Sequence, residues 1–152
     1  MAVGLGTGMM REVIQIAGDG FRIEVGALRK ILESGPGLQL DLCRYAVLLG
    51  MQIAQTAACN RLHDIKQRLA RWLLMTQDRV DSETLPITHD FLATMLGTGR
   101  PSVTLAASIL QKEQTIKYTR GAVRILNRKK LEDSACECYR MTQQYNSELG
   151  LR

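Results

Sequence analysis

No run of about 18 uncharged apolar residues occurs in the 152-residue sequence, so no segment reads as a membrane-crossing helix. Met1 to Met10 lack the basic-then-apolar layout of a secretory signal, which leads us to expect a cytoplasmic chain. Histidine is scarce. His63 and His89 are the only two, far apart and without metal-ligand spacing, and each reads as a surface or capping-turn residue. The four cysteines are Cys43, Cys59, Cys136 and Cys138, and a reducing compartment would keep them as thiols. Cys136 and Cys138 stand two apart with no second cysteine pair nearby, so the spacing argues against zinc and for buried or half-buried thiols. No nucleophile and base, carboxylate pair or metal set is discernible, so neither an enzyme, a metal nor a cofactor is expected. Gly4, Gly6 and Gly8 carry the glycine spacing of a phosphate loop, but no strand precedes them.

What the chain does have is positive charge gathered in one place. Residues 98–130 hold eight basic side chains (Arg100, Lys112, Lys117, Arg120, Arg124, Arg128, Lys129 and Lys130) against Glu113 alone. Residues 1–97 carry ten basic and ten acidic groups, and residues 131–152 carry two and four. The whole net charge of +5 therefore comes from about one fifth of the chain, residues 98–130. A concentrated positive field suits a polyanion, because neutralised phosphates release condensed counterions.

The pattern of residues then gives an order of elements. VIQI and FRIEV read as two short strands around Ala17-Gly18-Asp19-Gly20, and GALRKILE reads as a short helix ended by Gly35 and Pro36. Two strands make no stable sheet alone, so they call for a partner or a larger β domain. From Gly37 to about Leu62 the pattern is helical. Leu42, Tyr45, Leu49, Gln52, Thr56 and Cys59 recur at steps of three and four, the spacing of a helix that pairs with a copy of itself. Asp64 and Gln67 make a capping pair for a helix over 65–79, with a hinge at His63 and Asp64.

Thr88 can cap a short helix through Leu96, Gly97 permits a turn, and Pro101 fits the start of the next helix. On that next helix Val103, Ala106, Ala107 and Leu110 face one side. Pro101, Thr104, Leu105, Ser108 and Lys112 face the other, with Arg100 at the positive N-terminal end. These are the parts of a helix-turn-helix, whose second helix offers its start to base edges in the major groove. IKYTRGAVRIL then alternates about Arg120-Gly121, giving a hairpin whose Lys117, Arg120 and Arg124 can meet phosphates. RKKLEDSACECYRMTQQYNSEL reads as one closing helix.

The segment ITHDFLATMLGTGRPSVTLAASILQKEQTIKYTRGAVRIL resembles the winged helix-turn-helix of the Crp/Fnr transcription regulators. CNRLHDIKQRLARWLL before it is similar to the end of their dimerisation helix, hinge and first DNA-domain helix. The resemblance implies a mainly α chain in three parts. Residues 1–36 are the remnant of a cyclic-nucleotide-binding-like β-roll, 37–63 the dimerisation helix and hinge, and 64–152 the winged helix-turn-helix DNA-binding domain. It also implies a homodimeric regulator of double-stranded DNA, with RNA polymerase as a further candidate partner. By position Arg100, Pro101 and Leu105 match base-contacting residues of the family and Ser102 a phosphate-contacting one. Pro101 and Leu105 replace polar side chains, so the operator of the best-known members does not transfer. Nearly the whole β-roll and its nucleotide-phosphate turn have no counterpart, and Cys43 and Cys59 do not form the cysteine cluster of the iron–sulfur members. The competing reading is a protein-interaction module with the winged helix as scaffold.

Overall fold

A computed structural model describes residues 13–148 and Gly150. The glycine-rich start and Leu149, the end expected for the closing helix, lie outside the described residues. The chain divides between Val47 and Leu48 into two compact units. In the first, helix α1 (Val25–Ser34) forms where GALRKILE predicts it, and no side chain of it is buried. The two expected strands do not form: residues 13–24 have no strand, and Val13, Ile14, Phe21 and Ile23 are exposed. Alternation alone cannot hold a two-stranded ribbon that has no sheet to join.

Pro36, whose fixed φ suits a first helical residue, opens α2 (Pro36–Leu62). No helix among the described residues is long and apolar enough to cross a membrane. In the second unit the chain turns at His63, and Asp64 starts α3 (Ile65–Val80) with a complete capping box. The Asp64 carboxylate accepts from the Gln67 backbone at 2.9 Å, and the Gln67 side chain accepts from the Asp64 backbone at 3.3 Å. Two otherwise orphaned N–H groups are thereby satisfied. Asp81, in left-handed backbone with φ 49°, closes the helix.

Helix α3 is the centre of this unit. Its Leu69, Ala70, Leu73 and Leu74 have no exposed surface. Against it pack α4 (His89–Leu96), α5 (Arg100–Lys112), α6 (Arg128–Ser134) and α7 (Cys138–Glu148). Thr88 caps α4 by accepting from the Phe91 backbone at 3.2 Å, and Gly97 turns the chain at φ 58°. The guanidinium of Arg68 on α3 donates to the Leu96 carbonyl at the end of α4. Val103, Ala106, Ala107 and Leu110 of α5 are buried, as the helical wheel predicts. A three-stranded antiparallel sheet follows, ordered β1 (Thr84–Leu85), β3 (Ala122–Ile125), β2 (Ile116–Thr119). The predicted hairpin gains a strand too short to show in the sequence, whose Leu85 is fully buried.

The closing segment is two helices rather than one, broken over 135–137. Cys136 and Cys138 are both buried, and residues two apart point to different sides of a helix. Only a break lets both face inward. At the start of α6 Arg128 donates to Asp78 at 2.7 Å, Glu132 at 3.0 Å, Gln77 at 2.7 Å and Tyr139 at 2.6 Å, joining α3, α6 and α7. Burial, reinforced by the Asp78 carboxylate, pushes the Tyr139 phenol up to about 12, so it stays a donor.

Leu73→Ala should cost about 2–5 kcal/mol, as expected for a cavity in a dry core. Asp64→Ala should cost about 0.5–2 kcal/mol for the lost cap. Urea unfolding of the two variants checks the order; an Asp64→Ala loss as large as that of Leu73→Ala contradicts it.

Candidate nucleic-acid interface

The side of α5 away from α3 carries the residues singled out from the sequence. Arg100, Pro101, Thr104 and Leu105 are exposed, and Ser102 and Ser108 are half-buried. Arg100, Pro101, Thr104, Leu105 and Ser108 line one shallow open depression of about 450 Å³. Leu105 is 62% exposed, which in a helix otherwise well packed leaves an apolar side chain facing out for contact. Pro101 sits second in the helix rather than first, and Gly99 caps it without a side-chain bond. Pro101 has no N–H to satisfy, and the Ser102 and Val103 N–H groups turn back to the Gly99 carbonyl at 3.1 and 3.4 Å.

Three further contacts set where this helix stands. The Thr104 hydroxyl donates to the Arg100 carbonyl at 3.0 Å and lies 3.1 Å from His89 Nδ1. His89 stacks on Tyr118 of β2 with centroids 3.9 Å apart, and its backbone N–H donates to the Tyr118 hydroxyl at 3.0 Å. The Tyr118 backbone N–H donates to Gln111 of α5 at 2.8 Å. The start of α4, the outer side of α5 and the hairpin are thus tied at one ring pair. His89, read from the sequence as a surface or capping-turn residue, does open α4 but also serves as this joint. A single histidine gives no sequence signal for a stack on a tyrosine 29 residues away.

The hairpin presents the expected cations. Gly121 takes φ 81° in the two-residue turn after Arg120, and Lys117 stands directly opposite Arg124. Lys112, Lys117, Arg120 and Arg124 are all exposed. Like charges facing each other across a ladder repel, and the Glu83 carboxylate 3.6 Å from Arg124 offsets part of that repulsion. The ion pairs near the surface are loose: Arg100 to Asp90 is 3.5 Å and Arg124 to Glu83 is 3.6 Å, all four side chains more than half exposed. Exposed pairs of this kind exchange at little cost. Arg128, by contrast, is half-buried and held by Asp78 and Glu132 at 2.7 and 3.0 Å, so the basic surface is narrower than the sequence count.

The dimerisation stripe divides. Leu42, Tyr45 and Leu49 are 41%, 54% and 43% exposed. Gln52 is instead bonded to Asn146 at 3.2 Å and Arg79 at 3.2 Å, Thr56 to Arg71 at 3.3 Å, and Cys59 is buried beside Cys136. The last three residues serve their own chain, because α3 and α7 offer them partners that periodicity cannot show. The fold also gathers Cys59, His63, Cys136 and Cys138, with all ligand atoms within 4.8 Å of one another. Sequence spacing separates these residues; the missed signal is Cys59 and His63 four apart at one helix end, to which the fold brings the single cysteine pair Cys136 and Cys138.

Helix, tight turn, outward-facing second helix and basic hairpin define a winged helix-turn-helix domain of the DNA-binding class. Residues 67–134 match the family described as the Crp-like helix-turn-helix domain. No curated protein matches the sequence. A solved protein of Eubacterium rectale, described as a transcriptional regulator of the Crp/Fnr family, is similar at TM-score 0.55 and 22% identity, over 72% of this chain and 50% of its own. Thermus thermophilus catabolite activator protein is matched at TM-score 0.43 and 21% identity, over 78% of this chain and 50% of its own. The chain thus spans half the length of these structures. Residues 67–134 of the chain thus carry a Crp-like helix-turn-helix domain.

Burial, and then the nearby Arg100 charge, hold the His89 imidazole below its usual value, only partly offset by Asp90. The unfolded chain therefore takes up this proton first. Stability from neutral His89 is full above about 6.5 and is lost as pH falls below it. Unfolding midpoints of wild type and His89→Asn across this window should converge on acidification; a gap that widens refutes the assignment.

Proposed function

We propose that this chain is a homodimeric regulator that reads double-stranded DNA with α5 in the major groove and the hairpin against phosphates. The observation that carries this reading is the joint surface of exposed Arg100, Pro101, Thr104 and Leu105 on α5 and exposed Lys117, Arg120 and Arg124 on the hairpin. Arg100, at the start of α5, reaches base edges as a bidentate donor, with Pro101 and Leu105 supplying apolar contact to thymine methyls. Ser102, Ser108 and Lys112 border the same helix face and serve the backbone. Lys117, Arg120 and Arg124 position the domain rather than specify the sequence.

Two copies paired along the first half of α2, through Leu42, Tyr45 and Leu49, would carry the two reading helices to half-sites about 34 Å apart. Support for the pairing comes from the exposure of Leu38, Leu40, Val47, Met51 and Ile53 as well, an apolar surface that water does not favour. The cytoplasm, with RNA polymerase as a neighbour on the promoter, is the setting this function requires.

Arg100→Ala should reduce discrimination between a selected site and random duplex by about 1–3 kcal/mol, the worth of a bidentate arginine–guanine contact. Arg120→Ala should instead weaken both duplexes by similar factors and lower the slope of log affinity against log salt by about one unit. A salt series on both DNAs measures each; affinity and slope unchanged in Arg120→Ala would take the hairpin off the DNA and favour a protein-binding module. Sedimentation at tens of micromolar, well above usual dimer dissociation constants, should give a dimer, and a monomer there would exclude the α2 pairing.

A further inference from the structure

Cys59 lies in the last turn of α2 and His63 immediately after it, in the bend before α3. They stand four residues apart, and the His63 backbone N–H donates to the Cys59 carbonyl at 3.1 Å. Cys136 lies in the break between α6 and α7, and Cys138 opens α7. The three thiols form a buried cluster of their own, with 1%, 3% and 2% of their surfaces exposed. Cys59 Sγ and Cys136 Sγ are 3.6 Å apart, and Cys138 Sγ and His63 Nδ1 are 3.7 Å apart.

These separations are those of a tetrahedron. Zinc–sulfur bonds of about 2.3 Å and zinc–nitrogen bonds of about 2.0 Å put neighbouring sulfurs about 3.8 Å apart and sulfur and nitrogen about 3.5 Å apart. No two of the four ligand atoms lie farther apart than 4.8 Å, so at most about 1 Å of closure completes the tetrahedron. The surroundings are also those of a ligand set. His63 Nε2 is 3.1 Å from the Glu137 carboxylate, which fixes the ring with Nδ1 free to ligate, and the Gln55 amide donates to Cys138 Sγ at 3.0 Å.

Charge supplies an independent observation. Arg71 of α3 is 6% exposed, and among the described residues its Nη2 reaches the neutral Thr56 hydroxyl at 3.3 Å, no carboxylate pairs with it, and its Nε is buried without a hydrogen-bond partner. A buried cation with no carboxylate is expensive. Three thiolates and a neutral imidazole around a divalent ion leave one net negative charge, and Arg71 already acts electrostatically on Cys59.

We propose that Cys59, His63, Cys136 and Cys138 bind one zinc ion in a closed, structural Cys3His site. Binding releases the three thiol protons and leaves no open position for water, so the site supports folding rather than catalysis. It staples the bend ahead of α3 to the α6–α7 turn. The assignment is independent of DNA binding.

The test uses the full chain, stripped by chelation under reductant and titrated with cobalt(II), then zinc. One cobalt per chain, with thiolate charge-transfer bands and the intense visible bands of tetrahedral coordination, displaced by equimolar zinc, is the expected result. In the zinc-loaded chain a thiol reagent should modify Cys43 alone, and chelation should open the other three. Cys43→Ser should keep one metal per chain, whereas Cys136→Ser should lose at least tenfold in affinity. His63→Cys should retain tetrahedral cobalt with stronger charge transfer, which a merely misfolded chain would not. Weak octahedral bands, four reactive thiols in the presence of zinc, affinity unmoved by Cys136→Ser, or a chain purified with iron and labile sulfide would each overturn the proposal.

Discussion

The dry inner face of α3 is the constraint on which the rest of the second unit depends. Leu69, Leu73 and Leu74 are fully enclosed, and four helices lie against the element that bears them. A helix buried so completely has little freedom of rotation, since interiors pack at crystal density. Its two ends then become fixed points. Asp64 at one end sets where the bend from α2 falls, and Asp78 near the other receives Arg128 and so sets where α6 begins. The position of α5 follows in the same way, because its buried stripe has only one apolar surface to meet.

Local chemistry was legible in the sequence wherever one or two neighbouring residues decide a conformation. Asp64 with Gln67, Thr88 before α4, Gly97 in the turn and the Arg120-Gly121 hairpin all announce themselves by side-chain reach or by a φ that few residues tolerate. The outward face of α5 was equally readable, as the residue left over when a 3.6-residue period assigns the inward ones. Residues 13–24 failed for the complementary reason: alternation states which face a strand would bury, but not whether a sheet is there to receive it.

What stayed hidden was contact between distant segments. The His89–Tyr118 stack, the two-residue β1, the inward use of Gln52 and Thr56, and the meeting of Cys59 with Cys136 across 77 residues all depend on how finished elements pack. The break between α6 and α7 shows the limit well, since no glycine or proline marks it. Only the shared burial of Cys136 and Cys138 explains it, and their burial is itself a product of the fold.

The ring pair of His89 and Tyr118 has one more consequence. Because it fastens α4, α5 and the hairpin together, the surface proposed to read DNA has no joint of its own at this ring pair with which to follow a duplex whose grooves differ in width or curvature. Whatever misfit exists between this surface and straight B-form DNA must be relieved by the DNA. Bending is cheapest at flexible pyrimidine–purine steps and dearest in stiff tracts. On the proposed mode of binding, a stiff reader turns the mechanical properties of base pairs it never touches into part of the recognised sequence.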